Sequence, residues 1–172
     1  MTQSLAITVL GHDRPGIIAE VTGVLADLGG NLEDSSMTLL RGHFAWTLLV
    51  AGDSSAEQVT ARLAHLVAEG LVVSVLPVPD PAGAGVEGAA YLLSVHGADR
   101  PGIVSGLTSV VAEAGGNITD LTTRLGGELY LLVAEVALPV DADVDALSAR
   151  IAAVAAELGV RATFHAADTD VL

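Results

Sequence analysis

The chain has 172 residues, room for one large domain or two small ones, and its 7 basic residues, all Arg, stand against 21 acidic ones for a net charge of −14. With so few cations and only one Trp, two Tyr and two Phe, it is excluded as a binder of phosphate backbones and as a stacking platform for single-stranded nucleic acid. A hydrophobic content of 51% excludes disorder, and the absence of Cys excludes disulfides, thiolate nucleophiles and Cys-ligated metals.

The opening MTQSLAITVLGHDRPG has neither a basic start nor a small-residue cleavage site. No uncharged apolar run reaches the roughly 18–20 residues that span a bilayer. A cytoplasmic protein without membrane contact is therefore expected. Leu5–Leu10, a short apolar run bounded by Gly, reads as a buried strand. After the turn Asp13-Arg14-Pro15-Gly16, the residues Ile17, Ile18, Val21, Val24, Leu25 and Leu28 recur at helical spacing, and Gly29-Gly30 closes that helix. Leu32–Leu40 and His43–Val50 read as two strands joined by a tight Arg41-Gly42 turn. Ser54-Ser55-Ala56-Glu57 has the pattern of a capping box. Val59, Leu63, Leu66 and Val67 continue from it as a second helix that Gly70 stops, and Leu71–Leu76 is a last strand.

The chain then repeats itself. Gly11-His12-Asp13-Arg14-Pro15-Gly16-Ile17 returns as Gly97-Ala98-Asp99-Arg100-Pro101-Gly102-Ile103, and the match runs without a gap to Asp34 and Asp120, with 13 identities in 24 pairs. The elements of the second copy are predicted at Tyr91–Val95, Ile103–Ala114, Ile118–Leu125, Leu129–Leu138, Val144–Leu158 (N-capped by Asp143 or Asp141) and Val160–His165. In the second hairpin, Gly126-Gly127-Glu128 replaces Arg41-Gly42-His43, which predicts a one-residue shift of the turn. Between the copies, alternate prolines followed by Gly and Ala mark a linker. The expected organisation is domain 1 over residues 1–77, linker over 78–89 and domain 2 over 90–172. The order β-α-β-β-α-β, twice, predicts an α+β protein. Its two ferredoxin-like units each have an antiparallel sheet with helices on one face.

The two D-R-P-G turns hold the chemistry. Each opens a helix whose free N–H groups and positive dipole end favour a carboxylate. Pro suits the first helical turn, Gly admits close backbone approach, and Arg14 or Arg100 offers a bidentate contact to the same carboxylate. Asn31 and Asn117, at the start of the next strand, carry amides that both donate and accept. The competing reading makes Asp13 and Asp99 ordinary N-caps, the Arg residues solvated charges, and the Asn residues tolerated positions after Gly-Gly.

The D-R-P-G-I turn, the amphipathic helix, the G-G-N break and the acidic residue three positions later resemble the ACT domain, over nearly the whole chain and twice. As a whole the chain is similar to the family of tandem-ACT regulators typified by the glycine cleavage system transcriptional repressor. The resemblance implies a regulatory module that senses amino acids, with ligands held at interfaces between ACT units. Its ligand-binding residues would be Asp13, Arg14, Pro15, Gly16, Ile17 and Asn31 in the first copy. In the second they would be Asp99, Arg100, Pro101, Gly102, Ile103 and Asn117. Ala98 replaces His12 in the second copy, and tighter binding is expected of the first. Similar ACT pairs precede catalytic domains in some enzymes. No such domain follows here, so action through a protein partner is expected, with a ligand-free interaction module as the alternative.

An enzyme is not expected. His12, His43, His65, His96 and His165 lack metal-ligand spacing, and no nucleophile elbow or phosphate-binding lysine loop is present. Neither a metal nor another cofactor is predicted. Glu33 and Asp34, as strand neighbours, should point to opposite faces. Phe44, Trp46, Tyr130 and Phe164 read as core or sheet-interface residues. The small sheets leave edges that favour a homodimer.

Overall fold

The computed structural model describes residues 3–79 and 88–167. The chain divides into two compact units, Met1–Gly83 and Ala84–Leu172. The first contains β1 (Gln3–His12), α1 (Ile17–Asp27), β2 (Asn31–Leu40), β3 (His43–Gly52), α2 (Ala56–Arg62), α3 (Ala64–Ala68) and β4 (Val72–Val78). The second contains β5 (Gly88–Ala98), α4 (Ile103–Glu113), β6 (Asn117–Gly126), β7 (Leu129–Pro139), α5 (Val144–Glu157) and β8 (Val160–Ala166). Of the linker expected at 78–89, Val78 closes β4 and Gly88 opens β5, while residues 80–87 lie outside the described ones.

Each unit is a four-stranded antiparallel sheet, ordered β2-β3-β1-β4 and β6-β7-β5-β8. The central strands alternate as a half-buried sheet should. Leu5, Ile7 and Val9 of β1 and Phe44, Trp46, Leu48 and Val50 of β3 are buried. They pack with Ile17, Val21 and Leu25 of α1 and with Val59, Leu63 and Leu66. The second unit has its own core, in which Leu93, Val95, Leu132 and Val136 meet Leu107, Val111, Leu147 and Ile151. Of the edge strands, β2 and β6 are exposed along most of their length, while α2 and α3 pack on β4 and α5 on β8.

Local chemistry explains where the elements end. Arg41 (φ 50°) and Gly42 (φ 84°) both take left-handed backbone, the pattern of a type I′ hairpin turn. In the second unit only Gly127 (φ 63°) does, and Leu129 pairs with Gly126 as His43 pairs with Leu40. The expected one-residue shift is thus absent; the two hairpins keep the same register and differ in turn type. The capping box lies one residue later than predicted. Ser55, not Ser54, is the N-cap, and it exchanges hydrogen bonds with Gln58, not Glu57. Asp143, of the two candidates, caps α5 by accepting from Ala146 N–H at 2.9 Å.

The helix expected through Val67 is broken at Leu63. Leu66 N–H turns to Leu63 O, a tighter three-residue bond, and His65 Nδ1 lies 3.1 Å from the Arg62 carbonyl so released. Val67 is consequently 53% exposed and contributes nothing to the core. Edge strands β2 and β6 carry a bulge at matched positions, between Leu32 and Asp34 and between Ile118 and Asp120. The strict alternation expected of Glu33 and Asp34 fails there, since the extra residue interrupts the pairing.

Candidate functional site

The two D-R-P-G loops connect a central strand to the first helix of each unit. In the first, Asp13 N–H donates to Gly42 O at 3.1 Å, which ties the loop to the hairpin turn beside it. Gly16 is the N-cap of α1 with φ 96°, and Gly102 that of α4 with φ 95°. Glycine is needed there for left-handed backbone. A Cβ on Gly16 would meet nothing closer than 3.5 Å, so close approach is not the constraint. Pro15 and Pro101 therefore precede the cap rather than sit in the first helical turn. Neither helix start has a side-chain cap, so Asp13 and Asp99 are not N-caps and, among the described residues, the first-turn N–H groups have no side-chain acceptor.

In the first unit Asp13, Arg14, Gly16 and Ile17 line one cleft of ≈ 410 Å³ together with Ile18, Ala19, Met37 and Phe44. Ile17 and Ile103 are 1% and 2% exposed, so they are core residues that anchor the helices. Asn31 is not in the cleft. It pairs with Ala51 at one end of β3, whereas His12, which leads into the loop, pairs with His43 at the other. At about 3.4 Å per residue the two lie a sheet length apart, roughly 27 Å. Asn117 stands in the same relation to Asp99: it pairs with Ala137 while Ala98 pairs with Leu129. Asn117 instead borders a separate hollow of ≈ 380 Å³ with Thr108, Ser109 and Gly116.

The two arginines differ. Arg14 donates from both terminal nitrogens to Glu20, at 2.9 Å each, and also contacts Glu69 at the end of α3. His65 Nε2 lies 3.8 Å from the same Glu20 carboxylate. The Arg14 hydrogen bonds hold the Glu20 carboxyl below its usual range against the opposing effect of desolvation. Glu20, foremost, and Glu69 keep Arg14 firmly charged. The bidentate fork expected to meet a ligand is thus already occupied by protein. Arg100 has no such partner. Its guanidinium lies against Gly159, position 106 is Gly where the first copy has Glu20, and among the described residues Arg100 makes no ion pair or hydrogen bond.

Glu20, Glu69 and Met37 were missed in the sequence. The replacement of Glu20 by Gly106, the one charge change between Ile17 and Thr22 and their counterparts, was the available signal. Phe44 and Trp46 are buried as expected, and Tyr91 and Phe164 stack at 5.1 Å on the second sheet. Among the described residues no helix is long and apolar enough to cross a membrane.

Comparison with known proteins places these loops in a family. The ACT domain matches residues 3–70 and again 90–165. The glycine cleavage system transcriptional repressor of Escherichia coli is 30% identical over 130 residues, covering 70% of this chain and 64% of that protein. A UPF0237 protein of Methanopyrus kandleri is 50% identical over 50 residues, 29% of this chain and 54% of its own length. The chain thus spans between half and two thirds of these curated relatives. A solved protein of unknown function from Galdieria sulphuraria superposes with a TM-score of 0.81 at 28% identity, covering 97% of this chain and 99% of that one. Two matches that together take in most of the chain, each on a β-α-β-β-α-β sheet opened by a D-R-P-G helix start, show that the chain belongs to the ACT domain family.

Proposed function

We propose that the chain is a regulatory amino-acid sensor, neither an enzyme nor a DNA-binding protein, that acts on a protein partner in the cytoplasm. The observation that carries this reading is the pair of D-R-P-G helix starts without side-chain caps, the second beside a guanidinium that has no partner among the described residues. An amino acid offers a carboxylate to such N–H groups and to Arg, and an ammonium to the Asn side-chain oxygen. Asn31 and Asn117 stand too far from the loops of their own units to share a ligand with them. The reading therefore adds a homodimer, in which the loop of one protomer meets the first-helix exit of its partner. Because Glu20 and Glu69 already neutralise Arg14, the loop around Arg100 binds first. This reverses the order expected from sequence.

The likeness to the Escherichia coli repressor suggests a transcriptional output. A net charge of −14 favours a route through protein rather than through DNA. A shift of naked DNA by the pure protein at about 0.15 M salt would overturn that part. Edge strand β2, with Leu32, Met37, Leu39 and Leu40 exposed, supports the second reading, an interaction module without a small ligand.

The test is thermal unfolding against each of the twenty amino acids. A ligand at about 100 times its dissociation constant adds roughly 2.7 kcal/mol, several degrees in a domain of this size. One hit or a small related set is expected, lost in Arg100→Ala and Asn117→Ala and largely kept in Arg14→Ala. No shift with any amino acid would leave the interaction module as the standing reading.

A further inference from the structure

His12 and His43 face each other as a directly paired position of β1 and β3. Their ring centroids are 5.0 Å apart with the planes 30° from parallel. Both residues are exposed, and among the described residues neither ring has a hydrogen bond or ion pair, so the ring nitrogens are uncommitted. The fold does not demand this pair. The second unit puts Ala98 opposite Leu129 at the same place on the same sheet.

Two uncommitted imidazoles on adjacent strands are a ligand set for borderline divalent metals. A tetrahedral ion with Zn–N bonds of about 2.1 Å needs its two nitrogens roughly 3.4 Å apart. Stacked rings reach that separation by side-chain rotation, and no hydrogen bond holds either ring back. The backbone contributes the rigid part, since the two positions are fixed by the register of the central strands. We propose that His12 and His43 form a two-imidazole site for a borderline divalent transition metal ion of the zinc, nickel and copper class.

The remaining coordination positions of such an ion are open. No third His, Cys, Asp or Glu joins the pair among the described residues, so the site is of modest affinity and exchanges with solvent rather than holding the fold together. Asp13 and Phe44, the chain neighbours of the two histidines, both line the ≈ 410 Å³ cleft. Neighbouring strand residues point to opposite faces, so the ion would stand on the sheet face away from the buried Phe44, where water or a chelating small molecule completes its shell. Sequence spacing could not show this site, because the ligands meet across strands and not along one. The inference is independent of amino-acid sensing and stands or falls separately.

Calorimetric titration of the whole chain with zinc chloride tests it, in a non-chelating buffer near neutral pH. One ion per chain is expected. His12→Ala and His43→Ala are each expected to weaken binding at least tenfold, with the double variant little worse than either. His96→Ala, an exposed histidine of β5, should bind as the wild type does. The same proteins with copper(II) give a second readout: electron paramagnetic resonance should show two equatorial imidazole nitrogens in the wild type and one in each single variant. Circular dichroism confirms that the variants are folded, and His12→Gln and His43→Gln replace any that are not. Absence of stoichiometric binding by the wild type would overturn the proposal, as would either single variant within twofold of it.

Discussion

Arg14 shows how one side chain's partners set its role. Its matched place in both repeats suggests a ligand contact, yet its two terminal nitrogens are engaged by Glu20 and Glu69. The pH dependence of stability follows from the same pair. The Glu20 carboxyl lies below its ordinary value of 4.5 in the folded chain, Arg14 hydrogen bonding being the first cause. The unfolded chain therefore binds the proton more readily. The contribution is fully present above pH 4.5 and is lost as the pH falls through the depressed folded value. Urea midpoints measured from neutral to acid pH should show Glu20→Gln less stable than the wild type at neutrality, with the gap closing below pH 4.5. A gap that stays constant would show that the ion pair is not its source. Of this network only Arg14 was legible beforehand. Glu69 is 55 residues away in sequence, and nothing in local pattern brings the end of α3 to the loop.

At the scale of elements most of the fold was legible, since strand alternation, helical spacing and Gly stops are local signals. The failures were local too. The capping box moved by one residue because both Ser54 and Ser55 satisfy the pattern, and Gln58 completes it for Ser55 alone. Ser55→Ala should cost about 0.5–2 kcal/mol in the first unit, measured by thermal unfolding. Ser54→Ala breaks a different bond, to Leu28 O, and should leave α2 capped. Gly116 has an unexceptional φ but no room. A Cβ there would meet Leu138 Cδ2 and Val111 Cγ1, both at 2.8 Å. Gly116→Ala should therefore destabilise the second unit by about 1–3 kcal/mol through overpacking. Gly126→Ala, with nothing within 4 Å, should be silent.

For the whole molecule the decisive fact is that the two cores share no residue. Leu107, fully buried in the second, offers a clean probe: Leu107→Ala should cost about 2–5 kcal/mol there. Trp46 reports only the first core, so its fluorescence transition should stay in place while circular dichroism splits into two steps. A Trp46 transition that moved down with the second unit would show the two cores to be energetically coupled. Duplication made the division into halves readable from sequence, but it also concealed how far the halves had diverged. The replacement of His12 by Ala98 pointed to unequal sites with the first the tighter, whereas Glu20 against Gly106 gives the loops different charge and leaves Arg14, not Arg100, already paired.

The bulges on β2 and β6 bear on how the molecule behaves in a crowded solution. Exposed backbone donors and acceptors along β2 or β6 would otherwise template end-to-end growth of sheet upon sheet. With the pairing interrupted beside Asp34 and Asp120, an incoming strand keeps register only along Asp34–Leu40 or Asp120–Gly126. At these two edges a short strand is accommodated and a long one is not, so the guard against growth lies on one side of each sheet, while β4 and β8 on the other side pair without interruption.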